Sequence, residues 1–233
     1  YHTCVIDDTG VKCWGNNSWG LLRVPTLINP KAISVGSISA CAIDEIDIRC
    51  WGNNISGQPS FNNPKNISVG SKHACAIDDE GVKCWGSNSD GQTTVPTMTN
   101  PTVISSGINH TCAIADEGVK CWGNDSHDKT TVPSLTNPTV ISSGTNHTCA
   151  IDDNGVKCWG YKGDDITEVP TLINPITVSS GNRHSCAIDD YGIKCWGSDA
   201  NDMLNVPSLI NPRVMSVGLN HTCAIDDDGV KCW

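Results

Sequence analysis

The chain predicts an all-β protein: a seven-bladed β-propeller of four-stranded antiparallel blades. Three observations predict it. A unit of about 37 residues is written seven times. Each unit breaks into four short runs separated by Gly, Asp, Asn and Pro clusters. No window carries helical periodicity of useful length. Four short strands recurring about every 40 residues are the signature of a propeller blade, which buries its faces against copies of itself.

The unit from Thr102 to Pro138 gives the elements in order. Val103-Ile104-Ser105-Ser106 is a β-branched run ended by Gly107. His110 to Ile114 is the second run, and Asp116-Glu117-Gly118 is a turn signal. Val119 to Trp122 is the third run. A loop from Gly123 to Asp128 leads to a fourth, Thr130-Thr131-Val132, stopped by Pro133.

The cysteines fix the hairpin at the centre of each unit. They pair as Cys4/Cys13, Cys41/Cys50, Cys75/Cys84, Cys112/Cys121, Cys149/Cys158, Cys186/Cys195 and Cys223/Cys232, and a Trp follows each second one. First cysteines recur every 37 residues, except the 34-residue step from Cys41 to Cys75. With a four-residue turn, Ile114 faces Val119, Ala113 faces Lys120, and Cys112 faces Cys121. Opposed residues of a non-hydrogen-bonded pair are close enough to bridge. Seven disulfides within blades are therefore expected. Each closes a loop of about ten residues and contributes a little under 3 kcal/mol. They replace core that an aromatic-poor chain (Phe61 is its one Phe) does not supply. The competing reading is metal. His2, His73, His110, His147, His184 and His221 stand two residues before the first Cys, but Ser39 breaks the pattern and the spacing is not a zinc spacing. No metal and no cofactor are expected.

Composition bounds the function. The net charge of -10 argues against a nucleic-acid partner, which needs a basic stripe. No run of 18 apolar residues exists to insert in a membrane. Fourteen paired cysteines point to an oxidising compartment, extracellular, secreted or cell-surface. Sequons at Asn16, Asn54, Asn66, Asn109, Asn124, Asn146 and Asn220 are compatible with a glycoprotein. Residues 1–233 read as one propeller domain. A complete ring at this period takes roughly 256 residues, so closure is expected to be incomplete and the chain to be part of a longer one.

The pattern Ser-x-Gly-x-x-His-x-Cys-Ala-Ile-Asp-Asp-x-Gly-Val-Lys-Cys-Trp-Gly-x-Asn-x-x-Gly-Gln, seen in Ser68 to Gln92, resembles the repeat of the regulator of chromosome condensation family. The following Gln92-Thr93-Thr94-Val95-Pro96 is similar to repeats of propeller-type β-lactamase inhibitor proteins of the same superfamily. The resemblance covers the whole chain. It implies a seven-bladed propeller, structural roles for the recurring His and Trp-Gly, and a protein partner. Paired cysteines and acidity depart from the nuclear members and point away from nucleotide exchange and chromatin, toward an extracellular variant.

Comparing the copies separates scaffold from recognition. The Asp-Asp-x-Gly turn and the Val-Pro-x-Leu-x-Asn-Pro connector barely change. The loop after Trp-Gly and the turn before the first Cys change freely. In an up-down meander both variable regions fall at one end of the blade. Binding is expected there, through Trp19, Asn54, Lys72, His127, Tyr161 and Arg183. Trp19 is the one Trp outside the repeated position, suited to anchoring an interface or stacking on a sugar. Paired Asp residues offer too few oxygens for calcium and suit a tight turn by themselves. No catalytic constellation stands out, so no enzyme is expected. The expected function is a non-catalytic interaction module whose partner is another protein or a copy of itself. A lectin-like glycan binder is the alternative, and a β-lactamase-inhibitor-like protein a further one. A multivalent lectin would repeat its site in most blades, whereas Trp19 sits in a loop that shares no motif with the other copies.

Overall fold

The computed structural model describes residues 2–53 and 55–233; Asn54 lies outside the described residues. Seven sheets follow one another along the chain, and no α-helix is present among the described residues. Blade 1 is a two-stranded hairpin, His2–Asp7 with Gly10–Gly15. Each later blade has three strands in chain order. Blade 2 is Ala32–Val35, Ser39–Ile43 and Ile48–Gly52. Blade 3 is Asn66–Val69, His73–Asp78 and Gly81–Gly86. Blade 4 is Val103–Ser106, His110–Ala115 and Gly118–Gly123. Blade 5 is Val140–Ser143, His147–Asp152 and Gly155–Gly160. Blade 6 is Thr177–Ser180, His184–Asp189 and Gly192–Gly197. Blade 7 is Val214–Val217, Thr222–Asp226 and Gly229–Cys232.

The register is the one the sequence predicts: Cys112 opposes Cys121, Ala113 Lys120, and Ile114 Val119. All seven expected disulfides form, each within its blade: Cys4–Cys13, Cys41–Cys50, Cys75–Cys84, Cys112–Cys121, Cys149–Cys158, Cys186–Cys195 and Cys223–Cys232. Their Cα–Cα separations are 4.0–4.1 Å. No free cysteine remains among the described residues. The two ends of a bridge differ in burial. From blade 2 to blade 7 the first half-cystine lies in the covered middle strand and is buried. The second lies on the outer strand, so Cys13, Cys50, Cys84, Cys121, Cys158 and Cys195 are half-buried and Cys232 is exposed. The expectation that the bridges replace core therefore holds for one sulfur of each pair in blades 2 to 7; in blade 1 both Cys4 and Cys13 are half-buried.

The blades differ from expectation in strand number. Among the described residues the fourth run joins no sheet. In the unit of blade 4 its backbone is engaged locally, with Thr130 N–H donating to Asp125 Oδ1 and Thr131 N–H to the Asp128 carbonyl. Pro133 and Pro138, with no N–H, punctuate the remainder.

The chain forms two compact units, residues 1–124 and 125–233. In the first, the core lies between successive blades. Cys75 and Ile77 of blade 3 pack with Ile104, Ala113 and Trp122 of blade 4. In the second, Cys149 and Ile151 of blade 5 pack with Val178, Ala187 and Trp196 of blade 6. The first half-cystine of one blade thus supplies apolar surface to the Trp of the next. A chain with one Phe builds its core this way. The middle strand is buried from His73 to Asp78 and at its equivalents in blades 4, 5 and 6, as a strand covered on both faces must be.

The repeated Trp also carries a polar tie. The indole N–H of Trp51, Trp122, Trp159 and Trp196 donates to the carbonyl of Leu21, Gln92, Lys129 and Ile166, each 30 residues earlier, at 2.9–3.0 Å. Trp14, in the two-stranded blade 1, is the exposed one among them, at 38%. Trp85 follows the short 34-residue step, and its buried indole N–H has no partner among the described residues. The shortened segment between blades 2 and 3 does not bring a carbonyl to it. Phe61 packs against Trp85 instead, at 5.4 Å between ring centroids.

Candidate functional site

The two variable regions of a unit are joined by backbone hydrogen bonds. The residue two after each Trp donates its N–H to the carbonyl of the residue just before the preceding strand's His or Ser. These bonds run from Asn53 to Ile38, Ser87 to Lys72, Asn124 to Asn109, Tyr161 to Asn146 and Ser198 to Arg183, at 2.7–2.9 Å. The glycine after Trp makes this approach possible. Gly160 has φ of 114°, and a Cβ there would lie 2.6 Å from the Asn146 carbonyl oxygen. Both regions therefore sit at one end of each blade, as the meander predicts.

The loop after Trp-Gly turns through a short 3-10 segment in four units: Ser18–Gly20, Ser126–Asp128, Gly163–Asp165 and Ala200–Asp202. Trp19, His127 and Asp164 occupy equivalent apex positions, with φ of 68°, 68° and 59°. Non-glycine residues are rare in this left-handed region, and holding them there costs on the order of 1 kcal/mol each. The loops are pinned from within. Asn17 accepts the N–H of Leu22, Asp125 that of Thr130 and Asp199 that of Leu204.

Trp19 is 65% exposed. In the second unit His127 and Tyr161 meet edge to face at 5.1 Å between centroids. Arg183 is exposed and pairs with Asp164, Nη2 to Oδ2 at 2.6 Å. The structure thus brings His127 to Tyr161 and Arg183 to Asp164. Trp19 and Lys72 belong to the first unit, and Lys72 is exposed. Sequence reading misses Asp164 and Lys129. Lys129 is 2% exposed beneath the blade-specific loop, with Nζ 3.3 Å from Ser126 Oγ. Gln92 is also buried; its carbonyl accepts from Trp122 and Thr111, so the segment from Gln92 to Pro96 begins as structure.

The opposite end explains its own constancy. The first Asp of the turn in blades 2, 3, 5, 6 and 7 is a latch. Asp152, whose carboxylate is fully buried, accepts the N–H of Thr136 in the connector, the N–H of Asn154 in the turn, and the Lys157 ammonium at 2.7 Å. Asp78, Asp189 and Asp226 repeat this arrangement. Each Lys also donates to a connector carbonyl, as Lys157 does to Ser134. The connector Asn takes a left-handed φ, 50° at Asn137, and its amide reaches the second Asp, here Asp153. Blade 4 has Ala115 at the latch, and Glu117 takes over by accepting from Thr99 N–H and Oγ1. The Asp-rich turns thus spend their oxygens on the blade. Burial raises the pKa of Asp152, but Lys157 and the hydrogen bonds from Thr136 and Asn154 outweigh it and hold it at about 2. Replacing Asp152 with Ala leaves two buried N–H groups and an ammonium unmatched. A loss of about 3 kcal/mol in urea unfolding is expected, against under about 1 kcal/mol for the exposed Asp153→Ala. Equal effects would contradict the latch.

Between blades, the recurring His is a fastener. His73 Nε2 lies 2.9 Å from Thr111 Oγ1, His147 Nε2 2.7 Å from Ser185 Oγ, and His184 Nε2 2.9 Å from Thr222 Oγ1. Burial pushes the pKa of His73 and His184 down to about 4 and that of His147 to about 3. These rings are neutral structural groups.

Comparison with known proteins agrees with this geometry. The family model for the regulator of chromosome condensation (RCC1) repeat matches residues 65–92, 102–128 and 139–164. No curated protein matches the chain. Among solved structures, the chain is similar to the CRINKLY WD40 ectodomain of the Arabidopsis thaliana receptor kinase ACR4, with a TM-score of 0.84 and 24% identity over 100% of this chain and 90% of that one. It is similar to the entire ectodomain of the Physcomitrella patens receptor kinase CR4, with a TM-score of 0.82 and 21% identity over 100% of this chain and 70% of that one. It is also similar to Prp20p of Saccharomyces cerevisiae, with a TM-score of 0.75 and 15% identity over 88% of this chain and 71% of that one. Three of the chain's seven units thus match the RCC1 repeat model, and the fold is that of propellers such as these, here with a disulfide in every blade.

Proposed function

We propose that the chain is an extracellular, non-catalytic module that binds another protein through the blade-specific loop end. One observation carries the reading. The two loop regions that vary most from copy to copy meet at one end of each disulfide-closed blade, and several of their residues are held at a cost in left-handed conformations. Exposed Trp19 and the His127–Tyr161 pair supply rigid aromatic area of the kind that anchors interfaces. The Arg183–Asp164 pair supplies directional charge. The apex residues differ from loop to loop, Trp19, His127 and Asp164, which suits a protein partner rather than a repeated glycan site. The extracellular setting is supported by seven disulfides and by likeness to receptor-kinase ectodomains. Asn54, also expected at this end, lies outside the described residues.

The test is comparative capture from the extracellular medium of the producing organism, quantified by mass spectrometry. The oxidised protein should enrich a protein that the variant carrying Trp19→Ala, His127→Ala, Tyr161→Ala and Arg183→Ala does not. The variant's melting temperature should stay close to that of the parent, because these side chains are outside the core. Undiminished enrichment by the variant contradicts the proposal.

A further inference from the structure

The latch end is not uniform in its exposed side chains. The connector residue before Asn is Asn62, Thr99 and Thr136 in blades 3, 4 and 5, but Ile28, Ile173 and Ile210 in blades 2, 6 and 7, of which only blades 6 and 7 are adjacent. The latch uses only the backbone N–H at this position, so the fold asks for no apolar side chain there. The residue after the connector's final Pro is Lys65, Thr102 and Thr139, but Ile176 in blade 6. The turn residue five after the first Cys is Glu80, Glu117 and Asn154 in blades 3, 4 and 5, but Ile46 in blade 2 and Tyr191 in blade 6. Tyr191 is 79% exposed, Ile176 65%, Val214 56%, Ile210 51% and Ile173 43%. So much exposed apolar side chain gathered in two adjacent blades, where blades 3, 4 and 5 are polar before the connector Asn, after its final Pro and before the turn Gly, marks an interaction surface.

A groove opens here, between the blade 6 hairpin and the connector into blade 7. Tyr191, Ile193, Val206, Pro207 and Leu209 line it, with Asp190 and Arg213 at its edge. The charges around it identify its occupant. Lys194 is held by Asp189 at 2.9 Å and lies over the Tyr191 ring. Arg213 is held by Asp227. Asp190 accepts from the Asn174 amide and pairs with no cation among the described residues. Residues 125–233 hold 7 Lys and Arg against 14 Asp and Glu, a net charge of -7. A second copy of so acidic a chain would be repelled.

We infer that this surface docks a cationic, apolar protein segment. Its aliphatic or aromatic side chains would enter the Tyr191 groove and its Lys or Arg would meet Asp190. The surface lies at the opposite end of the blades from the loop end and stands independently of the function proposed above.

The experiment titrates the intact, oxidised protein into a fluorescein-labelled amphipathic peptide of Leu and Lys, followed by anisotropy at low and high salt. Saturable binding that weakens with salt is expected. It should weaken about tenfold or more in the variant with Ile176→Ser and Tyr191→Ser. Asp190→Asn should weaken it severalfold and flatten the salt dependence. Tyr161→Ala should change nothing. Melting temperatures check that each variant is folded. Absence of saturable binding overturns the inference. So does equal affinity for parent and Ile176/Tyr191 variant, which signals charge attraction alone. Concentration-dependent dimers in sedimentation that the same variant dissolves would assign the surface to a second copy and overturn it too.

Discussion

Reduction of the oxidised protein is expected to unfold it at room temperature. Each disulfide closes a loop of about ten residues, and the loss of chain entropy in the unfolded state contributes about 2.7 kcal/mol per bridge. Seven such terms exceed the roughly 5–15 kcal/mol by which a domain is usually stable, even if they add incompletely. The effect is compounded in the folded state, because the first half-cystines are themselves core. Cys41, Cys75, Cys112, Cys149 and Cys186 are wholly buried. Their partners Cys50, Cys84, Cys121, Cys158 and Cys195 are only half-buried, which leaves each bridge open to a thiol reductant from the outer strand. Circular dichroism should lose its β signal on adding the reductant, without denaturant. Thiol titration of the denatured, unreduced chain should find almost no free cysteine. A reduced chain that keeps a cooperative melting transition near that of the oxidised one would contradict this.

Acid is expected to loosen the blades in a defined window. His73, His147 and His184 are neutral in the folded protein, with pKa values depressed by burial to about 4, 3 and 4. In the unfolded chain they return to about 6.5. Because the folded values are lower, their contribution is fully present above pH 6.5. It falls as the pH drops below that value, when the unfolded chain takes up protons that the folded one does not. Each ring costs about 2 kcal/mol by about pH 5. The latch carboxylates act lower. Asp152 is held at about 2, so its contribution is present above the usual Asp range and is lost as pH falls from there toward 2. The melting temperature should therefore be level between about pH 8 and 7 and drop between about pH 6.5 and 4. A level profile down to about pH 4 would contradict neutral histidine fasteners.

The parts of the fold that could be read from sequence are those set by local pairing. Cys112 opposite Cys121 follows from a four-residue turn and a side-chain period of two. The meeting of the two variable regions follows from the up-down order of strands. What escaped the reading depends on partners distant in the chain. Asp189 looks like a turn residue until its carboxylate is found on Ile173 N–H, 16 residues away. The repeated Trp looks like core until its N–H is found on a carbonyl 30 residues back. The missing fourth strand is a local competition that propensity does not weigh: Thr130 has a strand-forming side chain, but its N–H is taken by Asp125. At the candidate site, the place of Trp19 in a variable loop was legible, while its 65% exposure, rather than packing on a neighbouring blade, was not. The His127–Tyr161 contact was not, since it joins loops of neighbouring blades 34 residues apart in sequence.

The central claim is that the repeated residues hold the blades and the unrepeated loop residues choose the partner. Site-specific photocrosslinking tests it most directly. A benzophenone side chain is placed at position 127 or 161 in the loops, or at position 154 in a polar latch turn of blade 5, in the intact oxidised protein. After illumination in the extracellular medium, positions 127 and 161 should yield the same crosslinked protein and position 154 should not. A crosslink from position 154, with none from 127 or 161, would contradict the claim.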